Sequence, residues 1–203
     1  MDSRASFLAE PPLTAELRAV YDEDLAADGY VNNATRAWGW RPDLMTRFYE
    51  LRNDAVESSD LSPREVAVMV AATAAARGDS YCSLAWGVKL ADLSDAATAA
   101  QVIHGEHANL SAREAALARW SRQVVDDPNA IAEADVDGLR EVGLTDREIL
   151  EATAWIAFRL AFSTINDAVG AQPDLQLLDK APGPVRQAVG YGRRPSPSSS
   201  PTS

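Results

Sequence analysis

The chain has 203 residues, 46% of them hydrophobic, and a formal net charge of −11 at pH 7. That size suits one domain with extensions, with enough apolar residues to build a core. The acidic balance argues against general nucleic-acid binding and against an anionic membrane surface, and no apolar run approaches the roughly 20 residues of a spanning helix. Alanine is abundant, aromatics make up only 7% of the chain, and Val/Ile/Thr alternation is nearly missing, so the expected fold class is all-α.

Residues 1–12, with Pro11 and Pro12, read as an irregular N-terminal arm. Thr14 can cap a short helix that runs to about Ala27 and is closed by Gly29. Residues 30–40, YVNNATRAWGW, read as a loop ending in aromatics. Pro42 then opens a helix whose Leu44, Phe48 and Leu51 share one face, which is expected to pack inward. A start signal follows three times: Leu61 to Glu65 (LSPRE), Leu110 to Glu114 (LSARE) and Leu144 to Glu148 (LTDRE). In each, a Ser or Thr N-cap and a glutamate three residues later form a capping box ahead of an apolar helix. The spacing is irregular, so this is shared helix-start chemistry and not a solenoid repeat. Residues 126–130 (DDPNA) form a loop, Glu133 to Glu141 a short helix closed by Gly143, and a last long helix runs to about Val169 and stops at Gly170. One domain is therefore expected over residues 13–180. The Pro/Ser/Gly-rich segment 181–203 is expected to be a disordered, flexible tail that belongs to no site. The start of the chain shows no signal-peptide pattern, and a lone cysteine allows no intrachain disulfide, so a cytoplasmic location is expected.

The chemistry concentrates in residues 61–93. A helix of small apolar residues is expected to be buried at the centre of the domain and to break at Gly78. Asp79 or Ser80 caps the next helix, which places Cys82, the only cysteine, in its first turn. Free N–H groups and the helix dipole favour a thiolate there.

Taken in order, the Arg-Glu helix start, the Gly break, Ser80-Tyr81-Cys82, Trp86-Gly87, the second and third start signals and Asn166 near the end of the last helix resemble the carboxymuconolactone decarboxylase and AhpD-like superfamily, in its peroxidase-related branch. The likeness covers roughly Trp40 to Asp174. It implies an all-helical AhpD-like bundle, usually a homo-oligomer (dimer, trimer or hexamer), with a pocket beside the cysteine-bearing helix. Redox members of the family use a Cys-x-x-Cys pair, a His four residues after the second cysteine and a Glu twelve before the first. Decarboxylase members act on a lactone acid without metal or organic cofactor. Carried onto this chain, Cys82 takes the second cysteine position, Asp79 the first, Trp86 the histidine position and Ala67 the glutamate position. Glu65, two residues earlier, replaces that glutamate only if the helix is offset.

A thiolate that reduces a hydroperoxide becomes a sulfenic acid, which another thiol must resolve. This chain has no second thiol. The preferred expectation is therefore a divergent enzyme that performs cofactor-free acid/base chemistry (isomerisation, decarboxylation or ring closure) on a small unsaturated or carboxylated molecule. Asp79, Tyr81, Cys82 and Glu65 are the candidate catalytic residues, and Ser80, Trp86, Arg159 and Trp40 the candidate substrate contacts, with Trp38 as a further wall. One alternative is a one-cysteine alkyl hydroperoxide reductase with an external thiol, although Asp79 beside Cys82 opposes a lowered pKa. Another is a non-catalytic binding scaffold. No metal site is expected: His104 and His107 lie three apart, but Gly105 and Asn109 suggest a loop. The apolar helix around Arg159 must be covered on nearly every side, by the core or by another copy of the chain.

Overall fold

The computed structural model describes residues 5–57 and 59–196. Eleven α-helices and one 3-10 turn make up its regular structure, with no β-strand among the described residues. The all-α expectation holds. The helix that everything else surrounds is α4, Pro63–Arg77. Every residue from Glu65 to Ala74 on it is buried, on all sides of the helix. Its alanines and valines are small, so neighbours approach closely without voids. Around it pack α5 (Ser80–Leu93), α6 (Ala96–His104), α7 (Ala112–Asp126) and α9 (Asp146–Val169).

All three capping boxes form. The N–H groups of Glu65, Glu114 and Glu148 donate to Ser62, Ser111 and Thr145, each at 3.2 Å. The glutamates in turn accept the cap N–H groups at 2.8, 2.8 and 2.7 Å. The three starts also meet in space. Arg113 of the second pairs with Glu65 of the first, at 2.6 Å, and with Glu148 of the third, and donates to Gly143 O at 2.8 Å. Arg64 of the first pairs with Glu114 of the second at 2.6 Å. One ion network therefore ties together the N-terminal ends of α4, α7 and α9.

Ahead of α4, the helix capped by Thr14 is α1, Ala15–Asp28, closed by Gly29 at φ +82°. Residues 30–40 are not all loop: Asn33–Trp38 form α2, every residue of it buried. Six residues do not hold a helix alone, and the anchors are distant in sequence. The Asn33 N–H donates to Asp174 Oδ1 at 2.9 Å, and Trp38 Nε1 donates to Asn166 Oδ1 at 2.7 Å. The helix opened by Pro42 is α3, Pro42–Glu57, but its inward face is not the expected one. Leu44 and Leu51 are 46% and 54% exposed, and Met45 is buried. Phe48 stacks on Phe162 and Tyr49 lies beside it. The face is turned toward the aromatic residues of α9.

The chain beyond α9 also departs from expectation. After α8 (Glu133–Glu141) and α9 come α10, Leu175–Lys180, and α11, Gly183–Ala188. Residues 181–196, expected to be flexible, are packed. Val185 is fully buried against Gly87 of α5, where an added Cβ would sit 2.7 Å from its Cγ1. Tyr191 donates to Ser83 Oγ at 2.9 Å, and Ser196 forms a single β-bridge with Asp174. Val185, Ala188, Val189 and Tyr191 supply apolar contacts within a stretch whose average composition hides them. The rest of the expected tail, 197–203, and residues 1–4 of the expected arm lie outside the described residues. No helix among those described is long and apolar enough to cross a membrane.

Removing Arg113 leaves two capping glutamates without their shared counter-ion. Arg113→Ala is expected to cost about 2 kcal/mol in urea unfolding, against no measurable loss for the exposed pair partner Arg147→Ala. Buried Asp174 accepts from Tyr81 and Asn33, and burial pushes its carboxyl up from 3.8 to about 6 despite those bonds. The folded pKa lies above the unfolded one, so this group's contribution is fully present below pH 4 and is lost as pH rises through 6. At about 1.4 kcal/mol per unit that is on the order of 3 kcal/mol. Asp174→Asn should remove this component of the pH dependence between pH 4 and 6 in thermal melts.

Candidate functional site

α4 ends at Gly78, whose φ of +75° turns the chain sharply. Asp79 then caps α5: its Oδ1 accepts the Cys82 N–H at 3.0 Å, while its Oδ2, also buried, has no hydrogen-bond partner. Cys82 follows in the first turn and faces α9. Arg159 Nη1 lies 3.4 Å from its sulfur and Ser163 Oγ 3.7 Å. The thiol is 2% exposed. Burial pushes it up to about 12, the Asp79 carboxylate pushes the same way, and Arg159 only partly opposes them. Burial and the acidic cap therefore work against the thiolate expected from the helix start.

Arg159 is 4% exposed, yet no carboxylate among the described residues pairs with it. Aromatic rings cover its faces instead: Trp86 at 5.3 Å and Phe162 at 5.2 Å from the guanidinium carbon. Its Nε has no hydrogen-bond partner. Trp86 stands one turn after Cys82 on α5 and is half-buried. Its outer side lines a hollow of about 290 Å³ between α3, α4, α5 and α9. Arg52, Asn53, Lys89, Val66 and Trp155 also line this hollow, and Trp155 meets Trp86 edge-on at 6.3 Å. Lys89 Nζ lies 4.8 Å from the Trp86 ring centre, and the Arg52 guanidinium 4.6 Å from Tyr49 and 5.9 Å from Trp155. Burial, and then the charge of Arg159, lower the Arg52 pKa. Trp155 Nε1 is buried without a partner. The lining is cationic and aromatic, and no carboxylate is among the described residues that form it. Two wider surface hollows of about 530 Å³, around Arg122 and Gln123, lie elsewhere.

Of the residues singled out in the sequence, Asp79, Cys82, Trp86 and Arg159 come together. The others do not join them. Tyr81 donates to Asp174 and accepts the Ala34 N–H at 3.3 Å, so it serves the anchoring of α2. Ser80 donates to Arg193 O at 2.9 Å. Trp40 is 50% exposed, with Nε1 on Ala9 O, and Trp38 is core. Glu65 is held by its own cap and by Arg113, whose bonds outweigh burial and lower its pKa. Cys82 packs at the level of Ala74, nine residues from Glu65, or roughly 13 Å along α4. His104 and His107 belong to no group of three or more metal-type side chains, and none exists among the described residues. Arg52, Lys89 and Trp155 were not read from the sequence. Lys89 was within reach of it, since i+3 from Trp86 places both on one face of a helix.

No protein-family model matches the chain, and no curated protein matches it in sequence. Solved structures do match. One is a peroxidase-related protein from Ralstonia eutropha JMP134, described as an alkylhydroperoxidase AhpD core: 26% identity over 85% of this chain and 94% of that one, with a TM-score of 0.76. A peroxidase-related protein from Silicibacter sp. TM1040 gives 22% identity over 85% and 94%, with a TM-score of 0.77. The debrominase Bmp8, as a cysteine-to-alanine variant in complex with 2,3,4-tribromopyrrole, gives 16% identity over 85% and 95%, with a TM-score of 0.70. This chain has the AhpD-like helical fold.

Proposed function

We propose that this chain is a cofactor-independent enzyme on the AhpD-like fold, acting by proton transfer on a small, flat, unsaturated or aromatic carboxylate. The pocket beside Trp86 carries this reading. Acids outnumber Lys and Arg by 30 to 19 in the chain, yet the charged side chains described in the lining, Arg52 and Lys89, are both cationic. Such a concave cationic patch draws an anion, and two indoles supply flat walls for a conjugated ring. A protein of the same fold, the debrominase Bmp8, is known in complex with a flat pyrrole, which supports a planar ligand.

The proton chemistry falls to Cys82 and Asp79. At neutral pH a thiol pushed up to about 12 is a proton donor and not a nucleophile. Decarboxylation, isomerisation and ring closure each need a proton moved at a carbanion or enolate centre. In an isomerisation Asp79 would take a proton from one carbon, Cys82 would deliver its own to another, and the proton on Asp79 would then return to the Cys82 sulfur. A decarboxylation would use the Cys82 proton alone, restored from water. Arg159 would stabilise the oxyanion in either case. The same neutral thiol weighs against the one-cysteine peroxidase, because only about one thiol in 10⁵ is ionised at pH 7 with a pKa of about 12. A binding protein without turnover is the second reading. It is favoured by the absence of a carboxylate, histidine or cysteine among the described residues lining the pocket. Assembly belongs to the proposal too: α9 carries Leu150, 70% exposed, and Ile165, 38% exposed, and a second copy of the chain would cover them.

Benzoate titrated against tryptophan fluorescence should bind, and neutral benzamide should not. Arg52→Ala and Lys89→Ala should each weaken benzoate by about tenfold, or ~1.4 kcal/mol. Turnover of unsaturated carboxylates, followed by ultraviolet absorbance, should vanish in Asp79→Asn and Cys82→Ala while benzoate binding persists. Binding without any turnover would select the second reading, and thiol-dependent loss of a hydroperoxide would restore the peroxidase. Light scattering should return a mass above that of one chain, and Leu150→Glu should lower it.

A further inference from the structure

We infer that Trp86 is a movable partition between the outer pocket and the buried Arg159 and Cys82, and that the free edge of Arg159 behind it binds the ligand's carboxylate. This inference rests on the pocket reading above and adds where the anion ends up. Trp86 packs against all three of the larger core clusters and also lines the pocket. Against its ring lies Arg159, which reaches Cys82, itself beside Ser163, and none of the three lines the pocket. A guanidinium has two aromatic-facing sides and an edge of N–H donors. The sides of Arg159 are covered by Trp86 and Phe162, whereas its edge meets one sulfur, a weak acceptor, and leaves Nε with nothing. A guanidinium out of water needs strong acceptors at that edge. A planar carboxylate fits it with two parallel bonds. Trp155 Nε1, also buried without a partner, is one more donor in the pocket wall facing Trp86. Arg52 and Lys89 then collect the anion, and displacement of the indole lets it reach Arg159 beside the thiol.

Thiol accessibility reads the partition without a known substrate. Methyl methanethiosulfonate, small and neutral, modifies Cys82, and mass spectrometry gives the rate. Wild type should react slowly, and Trp86→Ala at least tenfold faster with an unchanged circular dichroism spectrum. If Trp86→Ala does not fold, Trp86→Leu carries the same comparison. Benzoate should slow the modification of the Trp86 variant in a saturable way. Adding Arg159→Met should abolish that protection, and as a single change it should hold or raise the melting temperature, since it removes an unpaired buried charge. Three outcomes overturn the inference: a folded Trp86 variant no faster than wild type, protection that survives Arg159→Met, or a sharp fall in melting temperature with Arg159→Met, which marks a purely structural arginine. Failure of benzoate to bind wild type, with a fast Trp86 variant, would sink the substrate reading and leave the partition standing.

Discussion

A helix with no polar face has to be enclosed, and α4 is such a helix. From Val66 to Ala74 it offers water nothing to bond, apart from Thr73, whose hydroxyl donates back to Met69 O at 2.8 Å. Its neighbours are therefore obliged to surround it, and their directions follow from how it ends. At its start, the capping glutamate is shared with Arg113, which draws the starts of α7 and α9 to the same spot. At its finish, Gly78 and Asp79 reverse the chain so that α5 returns along α4. The site lies between the two ends, where Trp86 of α5 passes Val66 of α4.

Charge is distributed with the same economy. The glutamates at three helix starts are consumed in caps and ion pairs. Around the pocket stand three cations, buried Arg159, half-buried Arg52 and exposed Lys89, set among Tyr49, Trp86, Trp155 and Phe162. Aromatic faces make a buried cation tolerable without neutralising it. A pocket wall of this kind prefers an anion, while the surrounding chain stays strongly acidic. The thiol is shaped by the same low-polarity surroundings. The helix start that ionises a cysteine when water and free N–H groups are near it keeps Cys82 neutral once Asp79 has taken the N–H and Arg159 lies flat between rings.

The chain itself determined whatever depends on neighbours in sequence. The three capping boxes, the Gly78 break, the Asp79 cap and the stops at Gly29, Gly143 and Gly170 were legible because the partners lie within five residues of each other. The centrality of α4 was legible because its run of small apolar residues, Val66 to Ala76, carries no charge. Tertiary structure alone decided the rest. α2 exists only because Asp174 and Asn166 reach it from more than 120 residues away. α11 is held by Val185, which fits a glycine notch on α5, and by the packing of Ala188 in the same core cluster. The face that α3 turns inward was chosen by the aromatic residues of α9, not by the spacing of its own leucines. The candidate site divides along the same line. Cys82 and Asp79 sit on one local turn and could be paired from the sequence. Lys89 stands one turn from Trp86 on the same helix, whereas Arg52, Trp155 and Arg159 stand on two others, and only packing could bring them to that indole and its pocket, because no local rule connects side chains that meet across a core.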